Sequence, residues 1–387
     1  MKNSCTYKLA GPITFRRASS KILPDKNKKN VGWGSNLQNI EGELRSIYIP
    51  DGFSPSLEEK CIYYLENNFD TSMFTQEELA SLRVFLQTDQ SGAEGVLVAW
   101  DSSDGDYRSI FRNGISPHVY VAMKLFPKEW KDSIKRLNVL IDPSCVGVLY
   151  DTKINDLKKN PDWGQLSALI KSSDSWPLTE RYYYFAKQTV HSFSYDIRWH
   201  TFIMNILEKS GGKVVISKED GERFLMTIRG LFPEVPERNR RIDDQVKLTG
   251  MLYNIHGQPY TIWPGGAPPE HLLTDMKKFY AWGPQSGVAG ITQIAYTAMQ
   301  NYIEEHKKKW DLLTETHDSY LTQGLLHDTK ERFEVMSKCI NEQQFVSAID
   351  SDKFRMKSET KIAFNWGSYD PLNPDKNRLG MRVYKPL

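Results

Sequence analysis

Apolar positions along this chain fall into two patterns: short β-prone runs closed by turn residues, and longer segments with helical spacing. The run Leu82-Arg83-Val84-Phe85-Leu86 predicts a buried strand ending at Asp89, with a helix starting just after it toward Val96-Leu97-Val98-Ala99-Trp100. Two β-prone runs within 312–321 flank the tip His317-Asp318 and predict a second pair of strands. Further strands are expected over 44–50, over 248–255 ending at Gly257, and near 361–366 and 380–384. Val288, Ile291, Ala295, Ala298 and Tyr302, at spacings of 3, 4, 3 and 4, predict a long core helix with Gln285 immediately before it. Other helices are expected over 107–113, closed by Gly114; from Pro117; from the N-cap Thr179 through Tyr195; in pieces over 197–247; and over about 325–340. Residues 53–80 read as a surface insertion with a short helix, and 128–178 as mixed strand and helix signals without assignable chemistry. The cluster Pro264-Gly265-Gly266-Ala267-Pro268-Pro269 is the best candidate boundary between subdomains.

Composition refines this only in places. With 387 residues, 40% hydrophobic and 25% charged, the chain can bury a real core and is expected to hold two or three subdomains. The net charge of +2 says little, but residues 1–30 carry eight Lys or Arg against one acid, Asp25. Such an arm, with Arg16 and Arg17, suits a phosphate backbone or is simply a solvated tail. Asn36, Gln38 and Asn39 just beyond it have amides able to bond phosphates and sugars. The four cysteines are scattered, with no Cys-x-x-Cys, so neither a zinc site nor a disulfide framework is expected. No apolar run approaches the ~18 residues of a membrane span, and no signal-peptide core opens the sequence, so a soluble cytoplasmic protein is expected.

Candidate chemistry centres on the two acidic tips. Aspartates on neighbouring strand ends, Asp89 and Asp318, can clamp a pair of Mg²⁺ ions for in-line phosphoryl transfer; either one alone is more simply a turn cap. Lys187, His191 and Tyr195 fall near one line of a helix at about 100° per residue. They can grip a phosphate, touch a sugar and stack on a base, or form a polar stripe facing water. His118, near a helix start, can likewise meet a phosphate or merely pack.

In this order the pieces resemble the catalytic half of a family A, bacterial polymerase I-like DNA polymerase, including its phage members. Asn36-Leu37-Gln38-Asn39-Ile40 matches the family's NLQNI, and 14–20 is similar to its TGRLSSS segment, with Phe15 for Gly. Asp89-Gln90-Ser91-Gly92-Ala93-Glu94 resembles motif A, DYSQIE, and His118-Val119-Tyr120-Val121-Ala122 resembles HTETA. Lys187 and Tyr195 have the eight-residue offset of motif B. Phe232-Pro233-Glu234-Val235 is similar to FPKV, Gln285-Ser286-Gly287 to QSAG, and His317-Asp318 to motif C, HDE.

The resemblance implies an α+β fold, a right-hand palm with an antiparallel sheet and a helical fingers subdomain. Its expected parts are 1–117 (basic arm and first palm segment), 118–262 (fingers) and 263–387 (second palm segment). It implies two Mg²⁺ ions on Asp89, Asp318 and the Gln90 carbonyl, and Lys187 holding the nucleotide phosphates, with His118 on the β-phosphate. Glu94 is expected to exclude a 2′-hydroxyl, Tyr195 to sit at the template base beside His191, and Arg16, Gln285 and His317 to grip the primer terminus. The implied partners are primer–template DNA, dNTPs and, because no thumb or exonuclease sequence precedes the motifs, a second polypeptide carrying them.

Departures from the pattern are specific. Tyr183 stands where the family has Arg, and Arg181 lies about 160° round a regular helix from the needed place. His191 replaces Phe or Tyr, Asp196 replaces Gly, Ser319 replaces the Glu of motif C, and Ile255-His256-Gly257-Gln258 lacks the usual basic cluster. These changes keep a second reading open, a non-catalytic DNA-binding scaffold with a degenerate polymerase fold.

Overall fold

The structure, a computed structural model, describes residues 55–263, 277–371 and 373–385. The expected strand at 44–50, the Pro264 cluster and the DNA-binding candidates Arg16, Arg17, Asn36, Gln38 and Asn39 lie outside them. The strands in chain order are β1 (Arg83–Gln90), β2 (Met251–Tyr253), β3 (Pro259–Thr261), β4 (Asp311–Glu315), β5 (Ser319–Leu325), β6 (Gln344–Val346), β7 (Lys353–Arg355), β8 (Ser358–Ala363) and β9 (Arg382–Val383). The chain divides into two compact units. One comprises the described residues up to Ala93, Val288–Gln344 and the chain from Arg355 on; the other comprises Glu94–Gly287 and Phe345–Phe354. No described helix is long and apolar enough to cross a membrane.

The first unit is built on a five-stranded antiparallel sheet in the order β4-β5-β1-β8-β9. Its central strands bury apolar and polar side chains together: Val84, Phe85 and Leu86 on β1 and Tyr320 and Leu321 on β5 are almost wholly inaccessible, as are Thr88, Thr322 and Gln323. Thr88 on β1 bonds Thr360 on β8 across the ladder, hydroxyl to hydroxyl at 2.8 Å, so a buried polar pair satisfies itself. The helix Thr329–Asn341 packs on β1 and β8 and sends Arg332, fully buried, to the Val84 carbonyl at 2.9 Å. Gly324 on β5 makes room for it, because a Cβ there would lie 1.9 Å from Arg332 Nη1. Gly324→Ala is therefore expected to cost about 2–3 kcal/mol, the penalty of overpacking a core that cannot yield; urea unfolding would show it.

Of the segment read as a surface insertion, the described residues 55–80 do more than cover the surface. The helix Pro55–Glu66 buries Cys61, Tyr64 and Leu65, with Tyr64 edge-on to Phe364. A capping box, Thr75 with Glu78, starts the following helix Gln76–Ser81, and Lys60 bonds Glu78 at 2.8 Å. The core helix spans Lys277–Glu305, and its buried line runs through Val288, Ile291, Thr292, Ala295 and Met299; Ala298 is exposed, one step round from Met299.

The second unit is mainly helical. Residues 128–178 contain only helices and turns, burying Trp130, Ile134, Leu166 and Ile170 at helical spacing. The helix expected from Thr179 begins later, at Tyr182, after a 3₁₀ turn over Leu178–Glu180. The strand expected over 248–255 shortens to β2, since Leu248 and Thr249 belong to the last turn of the helix Glu234–Thr249 and Gly250 ends it in the left-handed region at φ 66°. β2 then pairs with β3 as a hairpin. Gln285 lies within the helix Lys277–Glu305, not before it, because Pro284 is tolerated inside that helix. Proline removes the bond to the carbonyl four residues earlier, and here the buried Arg238 supplies it, donating from Nη2 to Tyr280 O at 3.0 Å.

Candidate functional site

In the sheet unit the register decides what meets. Asp89 on β1 lies opposite Ser319 on β5 and Glu359 on β8, and Gln87 lies opposite Lys361. The Gln90 amide donates to the Asp318 carbonyl at 2.8 Å, so the two aspartates end neighbouring strands. Asp318 and His317 form the exposed tip of the β4–β5 hairpin, closed by Thr316 N–H to Ser319 O at 2.8 Å. The Gln90 side chain turns to the other face, where its amide donates to Val288 O and Thr292 Oγ1.

The Asp89 carboxylate is half-buried and held on both oxygens. Gln87 Nε2 donates to Oδ1 at 3.0 Å, and Lys361 Nζ reaches Oδ2 diagonally across the ladder at 2.6 Å. The same Gln87 amide donates to Ser319 Oγ at 3.0 Å, while Trp366 Nε1 fixes Gln87 from its carbonyl end at 3.2 Å. Among the described residues no group of three or more His, Cys, Asp or Glu side chains could hold a metal. The strands bring the Asp89 and Asp318 backbones side by side, and a carboxylate at such a strand end is a hard oxygen donor of the kind Mg²⁺ takes one or two of, alongside waters and phosphate oxygens.

The helical unit gathers a different set. The helix Tyr182–Ser194 packs on Pro117–Leu125, which starts with Ser116 as its cap and His118 in its first turn. Lys187 and His191 are exposed one turn apart, and Tyr195 just past the helix end is buried. The Tyr195 hydroxyl donates to Glu94 Oε2, while the His191 and Tyr195 rings stand edge to face, centroids 5.5 Å apart. Burial pushes the His118 pKa down to about 4, helped by the charges of Lys187 and His191. Burial also lowers His191, partly offset by Glu94. Tyr195 is raised by burial and by its bond to Glu94.

His118 is consequently neutral at physiological pH. Its folded pKa lies below the unfolded value, so the native state binds fewer protons between about pH 6.5 and about pH 4, and stability should fall as pH drops through that window. A ring-nitrogen NMR titration should give a midpoint near 4, and His118→Phe should flatten the pH dependence of unfolding there; an ordinary midpoint would refute the assignment.

The departures noted in the sequence also find places. Tyr183 stands with its ring edge-on to His118, 5.9 Å between centroids. Arg181 is committed elsewhere, donating from Nε to Trp176 O at 2.9 Å. Asp196 takes a left-handed φ of 50°, a conformation that suits Gly and that Asp tolerates, and pairs with Arg229 at 2.9 Å.

No protein-family model matches the chain, and no curated protein matches it in sequence. Among solved structures it is similar to the POL domain of Pol1 from M. smegmatis, solved in complex with DNA primer–template and dNTP. The identity is 13% and the TM-score 0.48, over 73% of this chain and 40% of that one.

Three residues at the acidic site were absent from the sequence reading: Gln87, Lys361 and Trp366. Lys361 ends the polar stretch Ser358-Glu359-Thr360-Lys361 just before the apolar run Ile362-Ala363-Phe364, which gives it no local signal of a partner. Gln285 is exposed on its helix, and no described contact links it to the sites above.

Proposed function

We propose that this chain is a DNA-templated DNA polymerase, or the catalytic part of one, adding dNTPs to a primer 3′ end. The observation that carries the reading is the junction of β1 with the β4–β5 hairpin, where Gln90 N–H meets Asp318 O beside the Asp89–Ser319 pair. It is supported by the order of the polymerase-like motifs and by the Lys187, His118 and Glu94–Tyr195 grouping. Asp89, Asp318 and the Gln90 carbonyl would hold two Mg²⁺. Bound there, the ions supply positive charge that favours the primer 3′-alkoxide and steadies the leaving pyrophosphate. Lys187 would hold the triphosphate as a point charge, and the neutral His118 would donate one hydrogen bond to it. Glu94, kept in place by Tyr195, would close the space a 2′-hydroxyl needs. Tyr195 and His191 would meet the base pair, and His317, Gln285 and Arg16 the primer terminus.

The test is single-nucleotide incorporation on a labelled primer–template with Mg²⁺, at low and moderate salt. Changing the templating base should change which dNTP is added. DNA binding without incorporation points either to a missing partner polypeptide or to the scaffold reading, and added cell extract decides between them: restored incorporation supports the first, continued failure the second.

A further inference from the structure

We propose that the Gln90 and Thr292 side chains form a hydrogen-bond relay that fixes the tip of the β4–β5 hairpin, making both of them positioning residues for the tip's His317 and Asp318. The catalytic roles of those two tip residues rest on the polymerase reading, but the relay is drawn from hydrogen bonds within the sheet unit alone. The Gln90 side-chain amide donates to Val288 O at 3.0 Å and to Thr292 Oγ1 at 2.6 Å. Val288 O can only accept, so the group facing it must be the amide nitrogen, whose two protons serve the two bonds. Thr292 Oγ1 in turn lies 3.2 Å from Val288 O and 3.4 Å from His317 O. Gln90, Val288 and Thr292 are almost wholly buried, so little water competes for these groups, whereas His317 and Asp318 are exposed.

A threonine inside a helix ordinarily turns its hydroxyl back to the carbonyl four residues earlier, which here is Val288 O. That carbonyl has two lone pairs. The helix ladder occupies one, through the Thr292 N–H, and Gln90 occupies the other. The Thr292 hydroxyl has a single proton, and with Val288 O filled it goes to His317 O. Two other bonds at the tip come from the strands themselves: Gln90 N–H to Asp318 O and Thr316 N–H to Ser319 O, both 2.8 Å. Thr292 adds a restraint from outside the sheet, on the helix Lys277–Glu305. Gln90 therefore acts twice on the tip, directly through its main chain and by way of Thr292 through its side chain.

The experiment follows amide hydrogen exchange of the full chain by NMR, without DNA, metal or nucleotide. Thr292→Val keeps the shape and loses the hydroxyl. It should speed exchange of the amides of residues 90 and 316 at least about tenfold, while those of Phe85 and Leu86, deeper in the same sheet, stay unchanged. Thr292→Ser should restore slow exchange. Gln90→Met releases Val288 O to the threonine hydroxyl, so the same two amides should speed up, and in the Thr292→Val background it should add nothing. Equal exchange in Thr292→Val and the unsubstituted chain overturns the proposal, as does Thr292→Ser behaving like Thr292→Val. So do additive effects in the double variant, or a rise shared equally by Phe85 and Leu86, which marks lost packing. Thr292→Ala takes the place of Thr292→Val if the latter fails a thermal-melting check, and the comparison with Thr292→Ser decides even where Gln90→Met does not fold. Single-nucleotide incorporation run in parallel should show Thr292→Val lowering kcat at least about tenfold with the dNTP KM unchanged; a loosened tip with unchanged kcat overturns the positioning role. Tip exchange that responds as expected in a chain that incorporates nothing sinks only the polymerase reading, and incorporation with tip exchange unmoved sinks only the relay.

Discussion

Asp89→Asn should cut Mg²⁺-dependent nucleotide incorporation at least about a thousandfold while leaving the fold intact. The amide keeps the size of the carboxylate and can still accept from Gln87, so the end of β1 has no reason to move. What disappears is the negative charge and hard oxygen of the proposed metal ligand. The ion pair with Lys361 also goes, but partly exposed pairs of this kind are worth only about 0–1 kcal/mol, too little to unfold a sheet unit of this size. Asp318→Asn should be as damaging, and it is the cleaner variant because Asp318 sits on an exposed hairpin tip. Single-turnover incorporation beside thermal melting separates chemistry from folding. A loss below about tenfold in either variant, with melting unchanged, would remove both residues from the metal site.

The second large effect concerns the sugar. Glu94→Ala should relax rejection of ribonucleotides by at least about tenfold to a hundredfold, because discrimination by a filled space is lost when the space opens. Glu94 is not free to choose its rotamer: its Oε2 accepts from the buried Tyr195 hydroxyl. Tyr195→Phe should therefore shift discrimination in the same direction by less, leaving the carboxylate present but unguided. Competition between a dNTP and the matching ribonucleotide on one template reads both. Unchanged rejection in Glu94→Ala would place the sugar somewhere else.

How much of this was legible beforehand depended on how local the cause was. The end of β1, the hairpin at Asp318 and the helix start at His118 are written in neighbouring residues: apolar runs, an acidic turn, Ser116 followed by Pro117. The helix from Tyr182 was misplaced at its start because Thr179 looks like a cap while Pro177 sets a 3₁₀ turn first. Gln285 was put outside its helix because Gly283 and Pro284 ordinarily end one, and the compensation, Arg238 on the Tyr280 carbonyl, lies 42 residues away. Lys361 was missed for a stronger form of the same reason. Its meeting with Asp89 depends on the β1–β8 register, a pairing across 272 residues that no periodicity encodes. Likewise, nothing local reveals that Gln87 serves Asp89 and Ser319 together.

That same pairing has a consequence for how the protein is made. β1 emerges early, yet its two hydrogen-bonding edges wait for β5 and for β8, and the helical unit is completed only by Phe345–Phe354. At about 5–20 residues per second, a ribosome needs roughly 15–50 seconds to cover the gap between Thr88 and its partner Thr360. Through that interval an apolar strand with unpaired amides is available to the wrong neighbour. Synthesis of this chain should depend on something that holds the nascent segment, and early termination near the C-terminus should yield aggregates rather than a smaller soluble protein.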